Sequence, residues 1–314
     1  MTKSWSPQRW ANSITTMLNA VYGDAPERFP VNIPQLAKEY SKQRFPDDPI
    51  TLVKGASLPG FDGALYRAPS AKKGWGIVYN DAIRSPGRIN FTLGHEFGHY
   101  LLHRLAYPNG MECGDQDMVR WDSEYAQIEQ QANEFAVGLL MPLDDFRRQI
   151  APKAKPTLDE IGACAARYDV SLIAATLRWL QFTERRSVLV VSRDGYILWA
   201  RSSDRALKTG AYFKTVGRPP IAVPALSLAA RSDPLNSKGA IEHGADVWFA
   251  EPCEEIALVS DYYDFTISLL HLGRAEKRTW IDEDEVEDSF GLRVGFETHA
   301  DRANRRIMSM AAAA

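Results

Sequence analysis

From Arg88 to Leu105 the chain reads RINFTLGHEFGHYLLHRL, and its apolar residues lie almost all round a helical wheel. Phe91, Gly94, Gly98, Leu101, Leu102 and Leu105 form one arc, and Leu93, Phe97 and Tyr100 cover the back. Such a helix is expected to be buried. Its polar positions narrow to one window holding Thr92, His95, Glu96, His99 and His103. A second helix is read from Glu124 to Leu140, capped by Asp122 or Ser123 and stopped at Met141-Pro142. Its apolar stripe is Tyr125, Ile128, Ala132, Phe135, Ala136, Leu139 and Leu140; Glu129 falls inside that stripe, while Glu124 and Glu134 point away with Gln130 and Gln131.

Around these two, short amphipathic helices are read at Trp5 to Val21 and from Gln35 to Tyr40. Strand-like signals fill Leu52 to Asn80, broken at Pro59-Gly60 and Asp62-Gly63, with Gly74 to Asn80 the clearest run. Ser85-Pro86-Gly87 turns the chain into the first helix, and Tyr107 to Arg120 reads as an irregular loop. Thr157-Leu158-Asp159-Glu160 is a capping box that starts a helix to about Arg167, and Ser171 caps another through Leu180. The pair has helix-turn-helix proportions without a basic stripe, which favours a packed helical hairpin over a DNA reader.

From Ser187 the period changes to two. Ser187 to Val191 and Tyr196 to Ala200 flank Arg193-Asp194-Gly195 as a hairpin, and further strands are expected at 246–250, 255–260 and 265–272. The fold class is therefore α+β. Three segments are expected: a mixed domain over 1–150, a helix-turn-helix-like segment over 151–185 and a β-rich domain over 186–314, with a solvated acidic run at 282–288 and a loosely ordered tail.

Charge and cysteine content narrow the function classes. A net charge of −3 argues against direct, non-specific nucleic-acid binding, which depends on neutralising many phosphates. No signal segment and no long apolar run is read, so a cytoplasmic protein without membrane contact is expected. Cys113, Cys164 and Cys253 are odd in number and far apart, unlike a disulfide framework. Cys113 falls between the two principal helices, where a small packed cysteine is favoured over an extra thiolate ligand.

The chemistry concentrates in His95-Glu96-Phe97-Gly98-His99. Histidines four apart on a helix leave the same face one turn above the other and can close on one ion. Polar groups placed in a core are costly unless satisfied, and a cation would satisfy them. The same reasoning selects Glu129 as the third ligand, since a carboxylate on a buried stripe needs a cation or several donors. Asn133, one turn on, is placed to bond the outer nitrogen of a ligating histidine. His103 lies about 12 Å along the axis from His95, too far to share the ion, and is assigned to substrate contact, outer support or packing.

With Leu101-Leu102-His103 after the first motif, Arg88-x-Asn90-Phe91-Thr92-Leu93-Gly94 before it, and Glu129-x-x-Ala132-Asn133-x-Phe135-Ala136 leading to Leu139-Leu140-Met141-Pro142, the sequence resembles the ImmA/IrrE family of zinc metallopeptidases. The resemblance implies a zincin-like fold, Zn2+ held by His95, His99 and Glu129, and Glu96 as the catalytic base. It also implies a helix-turn-helix-like middle and a C-terminal domain similar to GAF sensors. Its implied substrate is an Xre-type helix-turn-helix repressor, cleaved to release stress or mobile-element genes.

Three protein ligands leave an open position on zinc, which is the arrangement of a hydrolytic site; a structural site closes its fourth position with Cys or His. The expected function is thus a cytosolic zinc endopeptidase acting on a regulator, with substrate added as a strand beside Trp75 to Asn80. The alternative is a non-catalytic, zinc-containing transcriptional regulator or protein-interaction module.

Overall fold

A computed structural model describes residues 5–69, 73–114, 123–215, 217–231, 239–260 and 264–274. The acidic run, the alanine tail and the Asp122 cap expected from sequence fall outside them. Among the described residues the chain divides into two compact units, 5–145 with 165–171, and 146–164 with 172–274. Mixed helices and two separate sheets make the fold α+β. No helix of the described residues is long and apolar enough to cross a membrane.

In the first unit, α1 (Pro7–Tyr22) and α2 (Ile33–Arg44) precede three strands, β1 (Ile50–Ala56), β2 (Phe61–Arg67) and β3 (Trp75–Asn80). The long helices α3 (Pro86–Leu102) and α4 (Ser123–Leu140) follow, separated by a further strand, β4 (Gly110–Gly114). The sheet order is β1-β3-β2-β4, with β1 parallel to β3 and the other pairs antiparallel. Two expectations are corrected here. The stretch read as an irregular loop contains β4, whose glycines and Glu112 carry little strand propensity; pairing with β2 supplies what local preference does not. And Gly63, read as a break, lies inside β2, opposite Tyr79 on one side and Cys113 on the other.

Helix α3 begins at Pro86, two residues before the stretch read as helical and inside the Ser85-Pro86-Gly87 turn. The Ser85 hydroxyl accepts from the Arg88 N–H at 3.3 Å, and Pro86 stands where no donor is needed. It stops at Leu102, one turn earlier than the apolar pattern implied. Arg104 turns back and donates through Nη1 to the Tyr100 carbonyl at 2.8 Å, satisfying a carbonyl at the helix end. Leu105, expected on the buried arc, is 82% exposed as a result. Arg104 Nε and Trp75 Nε1 donate to the Asp48 carboxylate at 3.2 and 2.9 Å, Arg67 donates to the same group, and the Tyr100 hydroxyl donates to the Asp48 carbonyl at 2.6 Å. Asp48, two residues before β1, thereby ties the C-terminal end of α3 to the sheet.

The helix lies against β2 and β3 on one side and α4 on another. Its buried face is aromatic: Phe97 meets Phe135 edge-on at 5.6 Å, and Tyr100 meets Trp75 at 6.3 Å. Where α3 and α4 come closest, a Cβ built on Gly98 would sit 3.0 Å from Phe135 Cδ1 and 3.2 Å from the Ala132 Cα and carbonyl oxygen. At Gly94 the nearest atoms would be Ala136 Cβ at 3.4 Å and Leu140 Cδ1 at 3.6 Å. Only the first of the two glycines is demanded by the packing.

The second unit is built on a six-stranded antiparallel sheet ordered β7-β6-β5-β10-β9-β8, from β5 (Ser187–Arg193), β6 (Tyr196–Ser202), β7 (Ile221–Ala222), β8 (Ile241–His243), β9 (Cys253–Ser260) and β10 (Phe265–Leu272). Asp194 and Gly195, with φ of 51° and 76°, make the turn of the β5–β6 hairpin, the positive dihedrals that a two-residue turn of this twist requires. Also present are α5 (Leu143–Gln149), whose first residues belong to the first unit, α6 (Leu158–Tyr168), whose last turn belongs to the first unit, α7 (Leu172–Leu180) and the short α8 (Asp204–Leu207). The capping box closes α6 reciprocally: Glu160 N–H donates to the Thr157 hydroxyl at 3.2 Å, and Thr157 N–H to the Glu160 carboxylate at 2.8 Å. The expected strand at 246–250 is not formed. Asp246 has a φ of 69°, and Trp248 from this turn is buried, its Nε1 donating to Glu255 at 3.0 Å. An apolar run reports burial there, not extension.

Candidate metal centre

Adjacent turns of α3 carry His95 and His99, and their ring centroids are 4.4 Å apart. The two Nε2 atoms face each other at 2.8 Å. Glu129 enters from α4, with Oε2 3.2 Å from His95 Nε2 and Oε1 3.3 Å from His99 Nε2. The structure thus brings the three residues read as ligands into one cluster, with a donor atom from each within 4.8 Å of the others. Access is uneven: His99 is fully buried, whereas the Glu129 side chain is 25% exposed.

The donor set fits a divalent cation. Asn133 Oδ1 lies 2.9 Å from His95 Nδ1 and is an acceptor, so Nδ1 keeps a proton and the Nε2 turned toward His99 is the nitrogen that gives up its proton when a cation takes its place. Tetrahedral bonds of about 2.0–2.1 Å to zinc place neighbouring donors about 3.3–3.4 Å apart, and the cluster's separations of 2.8, 3.2 and 3.3 Å lie close to that edge.

The electrostatics agree. Burial opposes a charge on His95, but Glu129, its hydrogen bond and the nearby Glu96 outweigh burial and push the imidazole up to about 9. Burial, together with a charge on His95, brings His99 down to about 4. Burial also resists ionisation of Glu129, yet the two histidines hold its carboxyl far below the ordinary range. A carboxylate beside two imidazoles of which only one accepts a proton is a centre that attracts one compact positive charge.

Glu96 is fully buried on α3, directly after His95. It faces β2 at Gly63, where a Cβ would come within 3.0 Å of Glu96 Oε1 and 2.5 Å of Thr92 Cγ2. No property of the sequence around Gly63 announced this contact; it arises from the docking of α3 across the sheet. His103 is buried too. Its Nδ1 is 3.0 Å from His99 Nδ1, and its Nε2 is 3.1 Å from Gln131 Oε1. Gln131 therefore reaches inward, contrary to its reading as part of the outward face. Glu134 does lie on that outward face, accepting from Gln8 at 2.5 Å and Gln130 at 3.3 Å.

One further expectation fails. Strand β3 is interior, with β1 on one side and β2 on the other, so no extended peptide can be added beside Trp75 to Asn80. The sheet edges are β1 and β4, and β4 is the edge next to Gly63 and Glu96.

Residues 48–180 match the family model described as IrrE N-terminal-like domain, Peptidase_M78. No curated protein matches the chain at a significant level.

Proposed function

Because the chain carries, over residues 48–180, a peptidase domain of the ImmA/IrrE family, we propose that it is a cytoplasmic zinc endopeptidase that hydrolyses a peptide bond in a regulatory protein. The observation that supports this reading most directly is the meeting of His95, His99 and Glu129, from two helices, beside a buried Glu96 that is not one of the three. In this reading those three residues hold the ion. Bound there, zinc supplies Lewis acidity, lowering the pKa of a water toward about 7 and polarising a peptide carbonyl.

The chain's own work is to fix donors and move a proton. Asn133 keeps His95 in the tautomer whose Nε2 faces the cluster. Glu96 accepts the proton of the attacking water and returns it to the departing amine nitrogen, so that the peptide C–N bond breaks as the new C–O bond is retained. Its rigid burial keeps the carboxylate in place between the two transfers. Substrate enters as an extended segment along the β4 edge, backbone to backbone, which suits a locally unfolded loop. The substrate class we favour is a helix-turn-helix repressor of the Xre type, whose cleavage would relieve repression of stress or mobile-element genes.

The test is co-expression with such a repressor. Glu96→Gln is expected to retain one equivalent of zinc while cleavage stops. Unchanged cleavage overturns the role given to Glu96. Loss of cleavage with unchanged control of the target genes would instead support a non-catalytic regulator.

A further inference from the structure

We propose that His103 is a positioning residue of the metal centre: with Gln131 it sets the tautomer of His99 and so aims the His99 lone pair at the ion. The inference rests on the reading that His95, His99 and Glu129 hold a metal.

The geometry makes His103 neither a ligand nor a substrate contact. Its Nδ1 is turned to His99 Nδ1, the ring nitrogen on the far side from the cluster, and it is not among the three residues whose donors converge. Its ring is buried, and both nitrogens are engaged inside the protein, so it offers nothing to a substrate.

What remains is a chain of bonds whose direction can be read from its outer end. The Gln131 amide oxygen accepts only, so the proton on a neutral His103 must be on Nε2, donated at 3.1 Å. His103 Nδ1 is then a bare acceptor, and the contact at 3.0 Å requires His99 Nδ1 to carry its proton. His99 Nε2 is thereby left with a lone pair, 2.8 Å from the Nε2 of His95 and 3.3 Å from Glu129 Oε1. The result matches what Asn133 does for His95 at 2.9 Å. Each histidine has its outer nitrogen fixed, one directly and one through an intervening imidazole, and both fixing amides come from α4.

The experiment measures zinc affinity by competition against a chromophoric chelator, together with the visible spectrum of the cobalt-loaded protein. His103→Phe keeps the ring bulk and removes the acceptor. His103→Asn returns an oxygen near the place of Nδ1. Gln131→Leu unsets the outer end without touching His103. Removal of an outer partner typically weakens metal binding about 10- to 100-fold. His103→Phe should fall in that range, Gln131→Leu should lose about 10-fold, and His103→Asn should recover most of the loss, with a cobalt spectrum like that of the unaltered protein. Equal affinity in all four proteins overturns the proposal. Equal weakening by Phe and Asn with no effect of Gln131→Leu also overturns it, because packing alone would then explain His103. If His103→Phe does not fold, Gln131→Leu decides. Failure of the unaltered chain to bind zinc overturns the metal reading itself, an outcome distinct from the others.

Discussion

Replacing Gly98 and Gly94 separately by alanine should move stability in opposite directions, although both sit mid-helix in α3. In each case the helix gains about 1 kcal/mol of intrinsic preference. At Gly94 the new methyl meets Ala136 and Leu140 at 3.4 and 3.6 Å, ordinary contact distances, so the gain survives. At Gly98 it meets Phe135 at 3.0 Å and the Ala132 backbone at 3.2 Å. The phenyl edge can yield, but the backbone can do so only by moving α4, and overpacking of this kind costs about 1–3 kcal/mol. The net is a stabilisation of up to about 1 kcal/mol for Gly94→Ala and a destabilisation of about 0–2 kcal/mol for Gly98→Ala. The consequence reaches the centre, because Ala132 lies one turn after Glu129; parting the helices there draws the carboxylate from the imidazoles. Urea unfolding of the chelator-treated proteins gives the first quantity and zinc competition the second, with weaker binding expected for Gly98→Ala alone. If Gly98→Ala is as stable as Gly94→Ala and binds zinc equally well, the close approach of the two helices has been misjudged.

Two further outcomes are expected. Gly63→Ala would press on Thr92 Cγ2 and Glu96 Oε1, built at 2.5 and 3.0 Å from the new carbon; it should cost about 1–3 kcal/mol and depress peptide hydrolysis while zinc affinity holds. Adding Thr92→Ala should restore stability but not hydrolysis, and recovery of both would show that the pressure on Glu96 does not matter. In the second unit, burial holds His271 down at about 4; its Nδ1 accepts from the Ser187 hydroxyl at 2.9 Å and its Nε2 donates to the Pro156 carbonyl at 3.3 Å. The unfolded chain protonates this ring near the ordinary value of about 6.5. Stability from its neutral form is therefore complete above that value and declines as the pH falls toward 4, by about 3 kcal/mol. An acid titration of unfolding free energy should show that decline in the unaltered chain and lose it in His271→Asn; identical slopes would refute it.

The parts of the fold legible beforehand are those specified by neighbours in sequence. Ser85-Pro86 set the start of α3, Thr157 and Glu160 closed on each other, and Asp194-Gly195 made the tight turn between β5 and β6. The juxtaposition of Glu129 with His95 and His99 was legible for a related reason: a carboxylate inside an apolar helical stripe has to face something. Pairing between distant segments was not. Residues 110–114 become a strand only because β2 lies alongside, and the interior place of β3 follows from a parallel partner entered before it in the chain. Within the centre, Asn133 was found from helical phase, while Gln131 was missed because phase places its Cα outward and only the length of its side chain carries the amide back to His103.

Helix α4 carries the carboxylate and both amides that fix the imidazoles. The pentapeptide motif on α3 is consequently an incomplete instruction: severed from the second helix it keeps two rings free to swivel and no anion to balance a cation. Affinity should arise all at once when the helices dock, making metal uptake a gauge of tertiary assembly in this unit.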